Sequence, residues 1–465
     1  MNEQRPPRQA SASTSDFRTL ARQAHVKGEL AQAKRLYNRH LLDHPDDPQV
    51  WTNLGVLYRS EHCHDRALAA QRRAYRINPA SRVVRNNYAN ILDDVGEHAE
   101  AIGLRRELVA ENPTDPEQSA LLVRSHRASG DLAQAERVAE EALERLNGHP
   151  KLRFQLGLTQ LTAGDYRDGF ANYLARWEDG SLTLPEAPAP RWQGEELDGR
   201  SILVLPEQGF GDTLNFARFL PYLKAQGALV HCQVRPPLRR LFAPGDAVDV
   251  VHDQVSRKDR FDCWVSIMDI PAFYFRDHRS VPEPLRVAPP ADSAERAARI
   301  VAAYRDRFKV GVAWTGSPGY DRNTMRSLDH RMLLDLVDIP GVQLFSLYKG
   351  KALDAYVDDG TASFILDAAG SDRDLADCAA LIAELDLVIT IDTVTAHVAG
   401  AVGTEVWNLL HWEPFWLYGI AGDKTEWYPS MRLLRQASPR DWAGVLDRVK
   451  NDLQAMASAG PKRPQ

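Results

Sequence analysis

Cysteine is scarce in this chain. Its 465 residues include four, Cys63, Cys232, Cys263 and Cys378. They are far apart and form no Cys-x-x-Cys pair, which argues against both a zinc ribbon and a disulfide framework. Basic charge is not in excess either: 57 Lys and Arg stand against 63 Asp and Glu, a net charge of −6. The cationic stripe of a nucleic-acid binder is therefore missing. No apolar run approaches the roughly 20 residues of a membrane helix. The opening residues, MNEQRPPRQASASTSDF, hold no apolar stretch of a secretory signal, so the expected location is the reducing cytoplasm. No Gly-x-x-x-x-Gly-Lys-Ser/Thr loop is present, which removes a P-loop kinase or ATPase. What the chain does have is 44% hydrophobic residues, enough for packed cores. At about 150 residues per domain, its length suggests two or three domains.

The first 180 residues carry an internal period of 34. Gly28, Gly96, Gly130 and Gly164 lie on one lattice, with His62 in the vacant slot. Ala33, Ala67, Ala101, Ala135 and Gly169 form a second series, and Pro45, Pro79 and Pro113 a third. Ala21, Gly55, Ala89, Val123 and Gly157 form a fourth. A helix–turn–helix unit explains all four. Small residues let two helices cross closely, Gly takes the left-handed turn between them, and Pro ends the second helix. The pattern resembles the tetratricopeptide repeat. Five units are expected, starting near residues 14, 48, 82, 116 and 150, in a solenoid whose usual work is to bind protein segments. Asn53 and Asn87 share a slot in successive repeats, and Asn90 lies one turn beyond Asn87. An amide can pair with a peptide backbone of any sequence; it can equally be a tolerated residue on a solvated face. His62-Cys63-His64 falls in an inter-helix turn with no fourth ligand, so no metal site is expected.

Residues 179–198, with Pro185, Pro188 and Pro190, read as a linker or a strap across a surface. Beyond them, short apolar runs alternate with helical patterns, which implies parallel sheets. Strands are expected at 201–206, 229–234, 247–251, 263–266, 310–314, 342–347, 364–366, 387–391 and 405–410. The stretch Glu207–Thr213 is expected to lead from the first strand into a helix that runs through about Ala225, and further helices are expected at 372–384 and 394–402 and from about 439 to 456. The expected organisation is a disordered tail at 1–13, repeats at 14–178, a linker at 179–198, a short first α/β half at 199–300, a second half at 301–457, and a disordered tail at 458–465. Two doubly wound halves in tandem place a ligand in the cleft at the carboxyl ends of their strands.

Gly209-Phe210-Gly211-Asp212 invites a dinucleotide reading, but the third glycine is absent and the next strand ends at Arg235 instead of an acidic residue. The strongest chemical stretch is Ile391-Asp392-Thr393-Val394-Thr395-Ala396-His397. A strand stops there and a helix begins, so free N–H groups, two hydroxyls and an imidazole can hold an anion such as a diphosphate. The plainer reading makes Asp392 or Thr393 a helix cap and His397 a satisfied polar residue.

Asp392-Thr393-x-x-Ala396-His397, followed by Gly400 and Gly403, resembles the donor motif of heptosyltransferase-like enzymes, which have the GT-B fold. Glu207-Gln208-Gly209-x-Gly211-Asp212-x-Leu214 resembles their first-half motif. Trp314-Thr315-Gly316-Ser317 and Ser346-Leu347-Tyr348-Lys349-Gly350 are similar to two further loops. Trp427-Tyr428-Pro429-x-Met431-Arg432-Leu433 is similar to a stretch in members that join repeats to such a domain. The resemblance covers about 230 residues. It implies donor contacts from Gly209, Gly211, Trp314, Thr315, Lys349, Asp392, Thr393, Thr395 and His397. It also implies that Asp212 is the general base, with Glu207 in reserve.

The same resemblance implies a metal-independent glycosyltransferase that uses a nucleotide-sugar as substrate and needs no cofactor. The joined repeats are similar to those of flagellin glycosyltransferases, where Asn53, Asn87 and Asn90 would belong to an asparagine ladder that docks the acceptor. Arg326, Trp412 and Trp416 are further candidates for the phosphates, base or sugar. Two other readings remain: a repeat scaffold with an inactive transferase domain, and a transferase acting on a glycan or lipid.

Overall fold

The computed structural model describes residues 14–458 other than Ser181, Pro244 and Asp321. The two expected tails lie outside these residues, except for Ser458, which ends the last helix. The described chain separates into two compact units, with the break between Leu152 and Arg153. Among the described residues no helix is long and apolar enough to cross a membrane.

The first unit is a helical-repeat solenoid of the tetratricopeptide kind. Its pairs are Thr14–Val26 with Leu30–Asp43, Pro48–Ser60 with His64–Ile77, Arg82–Val95 with His98–Glu111, and Pro116–Ala128 with Leu132–Arg145. Asp47, Ser81 and Asp115 cap the first helices of the second to fourth pairs by accepting from N–H groups one turn on. Gly28, Gly96 and Gly130 turn at φ of +77°, +86° and +84°. His62, in the slot without glycine, adopts φ of +57° all the same, so the repeat geometry overrides the side chain's preference there. Ala21, Ala24, Tyr37, Leu54 and Leu57 form one core cluster, and Ala67, Tyr88, Ala89, Leu92 and Ala101 form the next.

Charged groups also bind neighbouring pairs together. Asp93 accepts from Arg105 Nη2 at 2.9 Å and from Ser125 Oγ at 2.7 Å, all buried. The partners hold the Asp93 carboxyl below its ordinary pKa even though burial pulls the other way.

From Arg153 on, the second unit holds the rest of the fifth helix pair, Pro150–Ala163 with Tyr166–Tyr173, which closes in a tight turn at Leu174–Trp177. The repeat spacing groups this pair with the solenoid, whereas its side chains pack with the α/β region. Leu161, Phe170 and Tyr173 share one core with Phe216, Phe219, Phe275, Trp416 and Trp427. Gly157 gives the pair its close crossing. A β-carbon there would lie 2.7 Å from Tyr173 N and 2.9 Å from Gly169 O, both backbone. Gly157→Ala should therefore cost roughly 1–3 kcal/mol through overpacking. Urea unfolding of the full chain checks this, and an unchanged midpoint would mean that the crossing relaxes freely.

Ten strands build two sheets: β1 Ser201–Leu205, β2 Leu229–Gln233, β3 Val250–His252, β4 Cys263–Ser266, β5 Phe308–Ala313, β6 Val342–Ser346, β7 Ile365–Asp367, β8 Leu387–Ile391, β9 Val406–Leu410 and β10 Met431–Arg435. The first sheet has the order β3-β2-β1-β4 and the second β10-β9-β8-β5-β6-β7. Every pairing between these strands is parallel.

The expected strand at 247–251 is pushed later and shortened to β3. The sheet does not close at β9, because β10 adds an edge. The expected helix through about Ala225 begins at Phe210 and is broken into Phe210–Phe216, a tight turn and Leu220–Ala225, with Pro221 opening the last piece. Helices Ile270–Asp277 and Ala291–Val301 were not anticipated. The proline-rich segment is a strap. Trp192 N donates to Trp264 O at 2.7 Å beside β4, and the Trp192 ring is buried against Phe273.

Candidate functional site

In each sheet the strand order reverses once, and in open α/β sheets ligands sit at that point, beyond the carboxyl ends of the strands. In the second sheet the reversal lies between β5 and β8. The loop after β5 begins with Trp314, Thr315 and Gly316, and the loop after β8 is Asp392-Thr393. In the first sheet it lies between β1 and β4. There the loop after β1 is Pro206–Gly209, and the chain after β4 runs to Asp269.

Helix Val394–Val402 starts directly behind β8. Thr393 is its N-cap and accepts from Thr395 N at 3.1 Å. Arg326 reaches the same point. It donates from Nη1 to Asp392 O at 2.6 Å and from Nε to Asn323 Oδ1 at 3.2 Å, and it lies over the Tyr320 ring at 4.3 Å. Thr315 is tied to the same loop, with its hydroxyl 2.8 Å from that of Ser327 and accepting from Asn323 Nδ2 at 3.2 Å. Tyr418 donates to Asp392 Oδ1 at 3.2 Å. Burial raises the Asp392 pKa, with Arg326 and Tyr418 opposing it.

The first-half motif meets this helix. Gly211 has no β-carbon because there is no room for one: it would lie 2.5 Å from His397 Cδ2. His397 is buried, and burial, with Arg218 and Arg326 adding to it, lowers its pKa to about 3. The ring is therefore neutral at physiological pH. Its Nδ1 lies 3.2 Å from Tyr428 Oη. Arg218 hydrogen-bonds the same Tyr428 side chain.

Asp212, one residue on, is half-buried and accepts from Gly209 N at 2.9 Å. Burial is the main cause that raises its pKa, to about 6, and the neighbouring Asp392 adds to it. A carboxyl with that pKa is ionised at neutral pH yet basic enough to accept a proton.

The remaining sequence candidates are placed differently. Trp314 is buried among His330, Tyr348 and Tyr356, stacked on the last with ring centroids 5.2 Å apart, and so offers no open face. Trp416 is also in the core, while Trp412 is partly exposed. Lys349 is exposed, and its Nζ donates to the Asp372 carbonyl. Glu207 is buried. It accepts from Arg176 Nε and Nη2 at 2.9 and 2.7 Å and from Ser266 Oγ.

In the solenoid, the Asn53 side chain hydrogen-bonds Tyr37. Asn87 Nδ2 turns back to Val83 O at 2.9 Å, and Asn90 Oδ1 accepts from Arg105 at 2.9 Å. All three amides thus have partners inside the solenoid. Among the described residues no group of three or more His, Cys, Asp or Glu is arranged to hold a metal ion. Arg176, Arg218 and Tyr418 act across long stretches of sequence and belong to no local motif; Tyr428 lies in the Trp427-Tyr428-Pro429 stretch, but nothing local to it points to His397.

No family model matches the chain. In sequence it is 25% identical to Protein FlbA of Caulobacter vibrioides over 465 residues, covering 92% of this chain and 76% of that protein. Solved structures similar to part of it include PilW, a widely conserved type IV pilus biogenesis factor (20% identity, TM-score 0.33, 38% of this chain and 81% of that one). MamA from Desulfovibrio magneticus RS-1 (15% identity, TM-score 0.33) and YrrB, a repeat protein with an unusual peptide-binding site (14% identity, TM-score 0.32), each match 37% of this chain, and 98% and 94% of their own. The chain is a helical-repeat protein whose second unit is a parallel-sheet α/β region, and it is similar to FlbA over most of its length.

Proposed function

We propose that the chain is a glycosyltransferase with paired GT-B-like α/β halves, moving a sugar from a nucleotide-sugar to a protein acceptor held by the repeats. The observation that carries this reading is the close approach of Gly211, the residue before Asp212, to His397 in the first turns of the helix behind β8. A carboxylate with a raised pKa and a helix N-terminus with several donors lie on either side of one close contact, at a strand-order reversal. Transfer needs both parts: a base to take the acceptor hydroxyl's proton, and donors to stabilise charge on the departing phosphate.

In this reading Asp212 takes the proton as the hydroxyl oxygen attacks the anomeric carbon and the bond to the diphosphate breaks. The first-turn N–H groups of Val394–Val402, the Thr393 and Thr395 hydroxyls, the His397 ring and Arg326 receive the diphosphate charge. The resemblance to heptosyltransferase-like enzymes supports this assignment and favours inversion. The joined repeats, similar to those of flagellin glycosyltransferases, support flagellin as the acceptor, modified in the cytoplasm. Co-expression with flagellin followed by intact-mass measurement tests the activity: a hexose- or heptose-sized increment supports it. A thermal-shift panel of nucleoside mono- and diphosphates tests the donor side separately.

His397→Ala combined with Thr393→Val should weaken binding of the nucleoside diphosphate that shifts melting most. Each hydrogen bond lost to a charged phosphate costs roughly 1.5–3 kcal/mol. Unchanged affinity by calorimetry would move the donor site elsewhere. A second reading, a repeat scaffold without activity, draws on the hydrogen bond from Gly209 N to Asp212, which serves a helix cap as well as a base. Nucleotide binding with no transfer to any acceptor would favour it.

A further inference from the structure

The loop that leads into the Asp212 helix is held by residues outside the α/β halves. Glu207, at its start, and Asp269, beyond β4, are both buried at the strand-order reversal of the first sheet. Arg176, from the turn that ends the fifth helix pair, lies between them. Its Nη2 is 2.7 Å from Glu207 Oε2 and 2.5 Å from Asp269 Oδ1, and its Nε is 2.9 Å from Glu207 Oε1. Trp177 Nε1 donates to Asp269 as well, at 3.0 Å, and Arg191 of the strap at 2.8 Å. The crevice where an open sheet takes its ligand is here filled by the chain's own guanidinium.

The next residue in the loop is Gln208, at φ of +56°. A non-glycine residue persists there only when its surroundings over-determine it. Two groups do so. Gln208 Nε2 donates to Tyr173 Oη at 2.9 Å, and Arg235 donates to the Gln208 carbonyl. Tyr173 is buried and also belongs to the fifth pair. Gly209 follows, and its N–H is the one that holds the Asp212 carboxylate.

From these contacts we infer that Arg176 and Tyr173 are positioning residues: the fifth helix pair clamps the Glu207–Gly209 turn and thereby sets where the Asp212 carboxylate points. The inference rests on reading Asp212 as the base. It gives the fifth pair a part in the reaction separate from acceptor docking. It also removes Glu207 from the pool of bases, because its carboxylate is committed to Arg176 and Ser266.

Tyr173→Phe in the full-length chain tests it, since the substitution deletes one hydroxyl and keeps the ring in its core. Hydrogen–deuterium exchange should speed up about tenfold in peptides covering 206–212 and stay unchanged over 387–402. Wild type and variant are then compared on UDP-, GDP-, dTDP- and ADP-sugars. On any donor that wild type turns over, kcat should fall about tenfold with KM for the donor unchanged. Exchange at 206–212 equal to wild type, or a loss of protection spread evenly over the second unit, overturns the positioning role. If wild type turns over no donor, the proposed activity is what fails. The exchange pattern still decides whether Tyr173 holds the turn.

Discussion

Asp212→Asn should reduce sugar transfer by about 10²–10⁴-fold, the range that general acid–base catalysis supplies, while nucleotide affinity changes little. The amide keeps an oxygen to accept from Gly209 N, so the turn and the helix start survive; what is lost is the ability to take a proton. The pKa of about 6 adds two checks. For the wild type, kcat/KM should be flat above pH 7 and fall about tenfold per unit below pH 6, as the base becomes protonated.

Stability should move the other way. A carboxyl whose folded-state pKa lies above its unfolded value binds its proton more tightly when folded. Its ionisation then costs stability, a cost that grows as pH rises from about 4 to about 6 and persists above. A shift of that size corresponds to roughly 1–3 kcal/mol. The variant should therefore melt a few degrees higher than wild type at pH 8 and at about the same temperature at pH 4. A variant that is fully active, or less stable than wild type at pH 8, would reduce Asp212 to a helix cap.

The parts of this molecule that were legible in the sequence are those written in local pattern. The lattice of small residues at Ala21, Gly55, Ala89 and Gly157 marks the helix crossings, and the glycine column marks the turns. Apolar runs such as Leu387–Ile391 mark strands buried on both faces. The placing of Asp212 and His397 in the first turns of helices behind strands was legible because such helix starts leave a signature of small and polar residues.

What was not legible depends on contacts between distant residues. Nothing near Arg176 announces that its partners are Glu207 and Asp269, nor does anything near His397 point to Tyr428. Trp314 reads as a stacking platform, but a residue ending a central strand is covered on both faces, and here Tyr348 and Tyr356 cover it. The asparagine column aligns by period, yet Tyr37 and Arg105 already engage Asn53 and Asn90. The β10 edge strand was hidden by the arginines at both its polar positions, Arg432 and Arg435, a pattern suited to an edge. Period placed the fifth pair with the repeats. Its aromatics Tyr166 and Phe170, which stand where the earlier repeats carry Leu or His and Lys, Leu, Ile or Glu, placed it with the α/β core.

Arg176→Met should be the most destabilising single change in the second unit. Arg176 is buried between two buried carboxylates. Removing one partner of such a network leaves charge without compensation, at a cost of about 3–5 kcal/mol. Arg191 and Trp177 still reach Asp269, so Glu207 bears most of the loss.

The triple variant Arg176→Met, Glu207→Gln, Asp269→Asn should regain a large share of the loss, because it removes the charges together with their partner. Urea unfolding followed by tryptophan fluorescence suits the measurement, since every tryptophan except Trp51 lies in the second unit. If Arg176→Met unfolds within about 1 kcal/mol of wild type, as a solvent-screened surface pair would, then water reaches Glu207 and Asp269, and the crevice at the first strand-order reversal is open to a ligand after all.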